Sequence, residues 1–204
     1  VMPDKHLSSQ FDTDLNGLCS KLLEMGGLVE LQISNAMRAF SEMNLDLCNQ
    51  VIQTERLVND FEVQIDLTCT EFIARRQPTA RDLRLVMAIS KAITNLERAG
   101  DEAERVAKRT KRLIENNIQT EINAAEIKLS GQMAISLLRR SLDAFARLDI
   151  EQAFKVMQAD SEIDLEYKTA TRALMTYMME DPRYISRVLN VLWVLRGLER
   201  IGDH

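Results

Sequence analysis

A six-residue segment occurs twice in this chain, as Leu96-Glu97-Arg98-Ala99-Gly100-Asp101 and as Leu198-Glu199-Arg200-Ile201-Gly202-Asp203, identical at five of six positions. The copies stand 102 residues apart in a chain of 204, so they divide it into comparable halves. Each closes a long apolar run of helical period and carries a Glu and an Asp four residues apart. At i and i+4 two side chains share one helix face, with Cβ atoms about 5–6 Å apart. Like charges placed so cost a few tenths of a kcal/mol unless a cation lies between them. A glycine in a helix interior costs about 1 kcal/mol relative to alanine. One Glu-x-x-x-Asp in an acidic helical chain carries no information. The same two penalties at the same place in each half point to a shared purpose.

Between the copies the sequence reads as long helices, with only 7 Gly and 3 Pro to interrupt them. A capping box at Ser9–Asp12 is expected to open the first. Leu15, Leu18, Leu22, Met25, Val29, Ile33, Ala36 and Phe40 give its stripe. Gly26-Gly27 predicts a bend or a close neighbour within it. Asn44 and Asp46 mark a turn, and Leu47, Val51, Val58, Phe61, Ile65 and Phe72 form the seam of the second helix. That helix should end near Arg75-Arg76-Gln77-Pro78, because the residue before proline is pushed out of the helical region. A capping box at Thr79–Asp82 opens the third, which runs to Asn116-Asn117.

The plan then restarts. Asn123–Glu126 is expected to cap a fourth helix, and Ala39-Phe40 returns as Ala144-Phe145, 105 residues on. Asp149–Gln152 caps a fifth, and Asp181-Pro182 starts a sixth with Pro at the first helical position. The predicted fold is all-α: two tandem three-helix bundles made by internal duplication, residues 1–120 and 121–204. The sixth helix stops one residue past its motif while the third continues to Asn117, so the second bundle is expected to be truncated at its C-terminal helix.

Other readings are limited by composition. A formal charge of −5 argues against nonspecific nucleic-acid binding, which needs basic surface. Three cysteines without CxxC spacing (Cys19, Cys48 and Cys69) read as buried free thiols in a reducing cytoplasm. No run of about 18 apolar residues suggests a membrane span, so the expected location is cytoplasmic. The tract Met175, Met178, Met179 with Tyr177 reads as core. Arg75-Arg76 and the cluster Arg105, Lys108, Arg109, Lys111 and Arg112 are either solvated faces or docking points for acidic surfaces.

A second pair of carboxylates supports the cation reading. Asp160 and Asp164 are again i and i+4, within a mostly apolar lane of the fifth helix, where burial is costly unless they are paired or metal-bound. At the offset of 105 the second helix offers Glu55 and Asn59, with Glu62 and Asp66 continuing the lane. Candidate metal ligands are therefore Asp160, Asp164, Glu199 and Asp203 in the second bundle. In the first, weaker set they are Glu55, Asn59, Glu97 and Asp101. Oxygen-only sets suit Mg, Ca, Mn or Fe. Arg105, one turn after Asp101, is placed to compete with a cation in the first set, and Asn59 supplies one charge fewer than Asp164. The alternative is a solvated face neutralised by Arg56, Lys91, Arg98 and Arg200.

The chain resembles the PhoU family of phosphate-uptake regulators. The resemblance covers essentially the whole sequence. It rests on Met25-Gly26-Gly27, Arg75 to Arg84, Leu96 to Asp101, Asp143 to Arg147, Thr176 to Asp181 and Leu198 to Asp203. It implies two three-helix bundles, a homodimer, and metal clusters held by E(D)xxxD pairs, so the expected cofactor is a divalent or iron-type metal ion (Fe, Mn, Mg, Ni or Zn). It also implies a negative regulator linking a phosphate ABC transporter, through its ATPase PstB, to the sensor kinase PhoR and the PhoB response. Departures from the family pattern are Asn59 for a second acid, Arg105 where Asn often follows the first motif, and the missing C-terminal turns.

No enzyme is expected. Di-iron bundle oxidases use Glu-x-x-His, and neither His6 nor His204 lies three residues after an acid. No P-loop or Ser-His-Asp constellation is evident. A carboxylate–metal hydrolase and a purely structural interaction bundle stand as the alternatives.

Overall fold

The computed structural model describes the backbone of residues 5–117 and 125–204, with side chains from 11–117 and 127–204. Six α-helices account for nearly all of it: α1 (Lys5–Glu42), α2 (Leu45–Arg76), α3 (Ala80–Glu115), α4 (Ala125–Arg147), α5 (Ile150–Glu180) and α6 (Ile185–Asp203). No strand occurs among the described residues. Helices α1–α3 pack on one another, as do α4–α6, and the two bundles meet where α1 lies on α4 and α3 on α6. One hydrophobic core runs through both, from Leu18 and Val29 through Ile93 and Val106 to Val191 and Leu198.

The duplication is visible in the turns. Met43 and Leu148 both adopt left-handed backbone, φ 48° and 52°, at the ends of α1 and α4. Asn44 N–H then donates to Ala39 C=O at 3.0 Å, and Asp149 N–H to Ala144 C=O at 2.9 Å. Each following side chain caps the next helix: Asn44 accepts from Leu47 N–H at 3.1 Å and Asp149 from Gln152 N–H at 2.9 Å. A non-glycine residue in that region costs roughly 1–2 kcal/mol. Its recurrence at the 105-residue offset marks a turn copied whole.

Other local expectations are corrected. The backbone is already helical from Lys5, so Ser9 lies inside α1 rather than at its cap. Thr79 makes no capping bond to the backbone; its hydroxyl instead donates to Asp82 Oδ2 at 2.6 Å, and the carboxylate that should reach back is used up there. Asp181-Pro182 opens a short 3₁₀ turn, Pro182–Tyr184, before α6 begins. The Asn123–Glu126 cap lies outside the described residues. α1 continues unbroken through Gly26, where a Cβ would stand 2.5 Å from Leu142 of α4, so this glycine admits a close neighbour. Met175, Tyr177 and Met179 are exposed and only Met178 packs on the core, against the reading of that tract as core. Cys48 and Cys69 are buried free thiols and Cys19 is half-buried. Arg76 pairs with Asp14 at 2.6 Å, pinning the end of α2 to α1, and Arg75 with Glu71 at 3.5 Å.

Candidate metal centres

Each motif copy meets the middle helix of its own bundle. Glu97 and Asp101 project from α3 toward Glu55 of α2, and the three bring carboxylate oxygens within 4.8 Å of one another. Glu199 and Asp203 of α6 do the same with Asp164 of α5. Asp160 stands beside this trio rather than in it. Asn59 supplies no carboxylate and acts as a donor, its Nδ2 reaching both Oε1 and the main-chain O of Glu55 at 3.2 Å.

The glycine of the motif makes this approach possible. A Cβ at Gly100 would lie 2.8 Å from Glu55 Oε2 and 2.9 Å from Gln32 Oε1. At Gly202 it would lie 3.3 Å from Ile163 Cδ1 and 3.5 Å from Asp160 Oδ1. In the first bundle the missing side chain leaves room for Glu55 on the facing helix; in the second it eases the packing of Ile163, while Asp160, the counterpart of Glu55, stands at ordinary contact distance.

Electrostatics follow from the crowding. Burial pushes the Glu55 carboxyl up to about 7; Asp101, Glu104 and Glu97 add to the shift while the Gln32 hydrogen bond opposes it. Glu97 is raised by burial and by Asp101 and Glu62. In the second bundle burial raises Asp160 and Glu199, reinforced by Asp203 and Asp164, with Arg196 and Arg200 countering at Glu199. Carboxyls raised in this way gain from a nearby cation, which favours their charged form.

The chemistry of the two oxygen sets suits a hard cation, but they are differently prepared for one. Glu55 is 4% exposed and is answered by protein donors: Gln32 Nε2 at 2.5 Å and the Asn59 amide. Arg105 adds a contact to Asp101 at 3.7 Å. In the second trio Glu199 Oε1 accepts from Arg196 at 2.9 Å, but Glu199 Oε2 is buried with no partner among the described residues. An orphaned carboxylate oxygen beside two further carboxylates is a donor set to which a hard cation would be suited. The second cluster fits a metal; the first is largely filled by its own donors.

The PhoU domain model matches this chain twice, over residues 22–110 and 127–204. The chain belongs to the PhoU family. It is 49% identical over 199 residues to the phosphate-specific transport system accessory protein PhoU homolog of Pseudomonas putida, covering 98% of this chain and 77% of that protein. It is 44% identical over 200 residues to PhoU of Escherichia coli, covering 98% and 82%. The crystal structure of PhoU from Pseudomonas aeruginosa superposes with a TM-score of 0.89 at 47% identity, covering 95% of this chain and 92% of that one. A PhoU structure from Streptococcus pneumoniae, at 28% identity, gives 0.84 over 95% and 90%. Both motif copies of this PhoU chain fall inside the matched segments.

Two residues near the clusters were not singled out by sequence. Gln32 is 1% exposed and bonds Glu55 across 23 residues of chain. Its signal was a lone amide in the lane Met25, Val29, Gln32, Ala36. Glu102, 6% exposed, accepts from Arg105 at 2.5 Å and from Arg200 of the other bundle at 3.3 Å. It directly follows the motif's Asp101, so its burial could not be separated from that of its neighbour.

Proposed function

We propose that this chain is a regulator of phosphate uptake: an accessory protein of a phosphate-specific transport system that acts by binding and catalyses no reaction. The observation that carries this is membership of the PhoU family along nearly the whole chain, with relatives named for that transport system. On this reading it works in the cytoplasm and restrains the PhoB response by linking the PstB ATPase to the PhoR kinase. Among the described residues no helix is long and apolar enough to cross a membrane, which agrees with reaching the transporter through a protein partner. The metal is a divalent or iron-type ion, held by Asp164, Glu199 and Asp203 with Asp160 beside them, and more weakly by Glu55, Glu97 and Asp101. When bound it neutralises the carboxylates and clamps the middle helix of each bundle to the motif helix.

The homodimer of this proposal has a suitable surface. Ile150, Phe154, Met157 and Leu165 share one face of α5 and are 73%, 62%, 72% and 66% exposed. Deleting the gene should raise a phosphate-starvation reporter in phosphate-rich medium, and the full-length protein should restore repression. A reporter that stays silent in the deletion strain refutes the regulatory role. Sedimentation should give twice the chain mass, and Phe154→Asp should return it to the monomer.

A further inference from the structure

A groove of about 490 Å³ lies where α3 crosses α6, between the bundles, and none of the cluster carboxylates lines it, although Arg105 and Arg196 on its wall reach Asp101 and Glu199. That volume is in the range of small-molecule sites, roughly 300–1,000 Å³. Its lining is cationic in a chain of net charge −5: Arg105, Lys108, Arg109, Arg112, Arg196 and Arg200, against the single carboxylate Glu102. Four of the six cations are already paired. Arg105 and Arg200 are engaged with Glu102, Lys108 with Glu104 and Arg196 with Glu199. Arg109 and Arg112 have no carboxylate partner among the described residues. They stand close enough that Arg112, after burial, lowers the Arg109 pKa.

Of these two adjacent guanidiniums, Arg109 is held in place and Arg112 is exposed. Arg109 Nη2 donates to the side-chain oxygen of Asn190, a residue 8% exposed, at 3.0 Å. Asn190 is fixed in turn by its own amide, which donates to Ser186 C=O at 2.9 Å. Arg109 Nε is buried without a partner among the described residues. The Arg109 guanidinium also lies over the ring of Trp193, 5.0 Å from its centroid, and the indole is still 57% exposed. The groove therefore offers an anion-binding end, where the exposed Arg112 guanidinium and the remaining Arg109 nitrogen can meet phosphate oxygens, and beside Arg109 an indole with exposed surface against which a planar ring can pack.

We infer that this groove binds a nucleoside di- or triphosphate, with the phosphates on Arg109 and Arg112 and the base against Trp193. An inorganic anion alone would leave the indole and the greater part of the volume unused. An acidic protein segment would satisfy the arginines, but it would not need a concave site with an aromatic wall. The inference goes beyond the regulatory proposal and does not depend on it, since binding is read on the purified chain.

Trp193 is the only tryptophan in the sequence, so intrinsic fluorescence reports on this groove alone. The full chain would be titrated in EDTA, which removes any contribution from metal at the carboxylate clusters, with ATP, adenosine and tripolyphosphate. ATP should give a saturable change at sub-millimolar concentration. Tripolyphosphate should bind at least about tenfold more weakly, because it lacks the ring, and adenosine should not saturate. Arg112→Gln alters an exposed side chain and, with its helicity checked by circular dichroism, should weaken ATP about tenfold or more. Trp193→Phe, read by calorimetry, should weaken ATP while leaving tripolyphosphate unchanged. No saturable response to ATP, equal binding of ATP and tripolyphosphate, or wild-type ATP binding by Arg112→Gln would each overturn the assignment.

Discussion

The two carboxylate clusters occupy corresponding places in a duplicated fold, yet the protein's own donors answer the first and leave the second open. Around Glu55 stand Gln32, Asn59 and, through Asp101, Arg105. At the 105-residue offset the counterpart of Gln32 is Leu137, and that of Asn59 is Asp164. One substitution removes an amide donor and the other replaces a donor with an acid. The middle helices differ in the same sense: α2 buries eight residues, α5 only Ile163, Ala170 and Leu174. Duplication supplied one geometry twice. Divergence gave the first copy amide donors to its buried acid, with Gln32 Oε1 left over, and left the second with an unpartnered carboxylate oxygen.

The strongest way to break this contrast is to add metal. A cation bound only by the folded state stabilises it by about 2.7 kcal/mol at a hundredfold excess over Kd. Melting with and without Mn²⁺ or Fe²⁺ should therefore show a clear upward shift, and Asp164→Asn should remove most of it. Asn59→Asp should add affinity in the first bundle, because it exchanges a competing donor for a ligand. Equal shifts in all three proteins would mean that both clusters are ordinary surface charge.

Next in size is Gln32→Leu, which gives the first cluster the residue found in the second. Removing the donor strands a buried carboxylate, and the expected loss is about 2 kcal/mol in urea unfolding at neutral pH without metal. The reverse exchange, Leu137→Gln, has no buried Glu to meet and should gain nothing from hydrogen bonding. If Gln32→Leu were neutral, the donors around Glu55 would not be what distinguishes the two sites.

A third comparison uses pH. The folded-state pKa of Glu55, about 7, lies above its ordinary 4.5. Below 4.5 both folded and unfolded chains hold the proton and no penalty exists. Between about 4.5 and about 7 the folded chain alone retains it, so stability falls as pH rises, and above that range the penalty is complete. Glu55→Gln cannot titrate. Its stability relative to wild type should rise across this window by on the order of 3 kcal/mol, measured metal-free by denaturant unfolding. A flat difference would place Glu55 in a better-solvated setting than its burial implies.

Smallest is the response to alanine at the motif glycines. Gly100→Ala gains about 1 kcal/mol of helix propensity, and Gly202→Ala gains less because it stands one residue from the end of α6. At Gly202 the nearest atom would be 3.3 Å away, a tight but yielding contact, and the gain should survive in part. At Gly100 the new methyl group meets two buried polar tips under 3 Å away, so Gly100→Ala should be net destabilising by about 1 kcal/mol. Thermal unfolding of the two variants should give shifts of opposite sign.

Much of this arrangement was legible in the sequence because helices announce themselves locally. Asn44, Pro78 and Asp149 stopped or started helices where expected, and the repeated Glu-Arg-x-Gly-Asp led to both trios. What escaped depends on partners across the bundle. The 3.6-residue period says that Gln32 faces inward, but not that Glu55, 23 residues on, waits there. Exposure of the Met175–Met179 tract was missed for the same reason: apolar spacing describes a face without saying what covers it. Thr79 failed as a cap through competition, since the local signal was present and Asp82 took the hydroxyl. The basic cluster on α3 was visible in the sequence, but not that α6 places Asn190 and Trp193 opposite it.

Gly100 also restricts the order in which this protein can change over generations. While a long acid occupies position 55, a methyl group at 100 collides with it, so the glycine is held by a residue 45 positions away. A lineage that shortened Glu55 first would free position 100 to become alanine and regain helix stability. Once that step was taken, a returning long acid would have to move its tip aside from the new methyl group. The second copy, with the shorter Asp160 set farther from Gly202, is nearer to that step. Alanine at position 202 is therefore easier to reach than alanine at position 100, and reaching it leaves the carboxylates of Asp164, Glu199 and Asp203 in place.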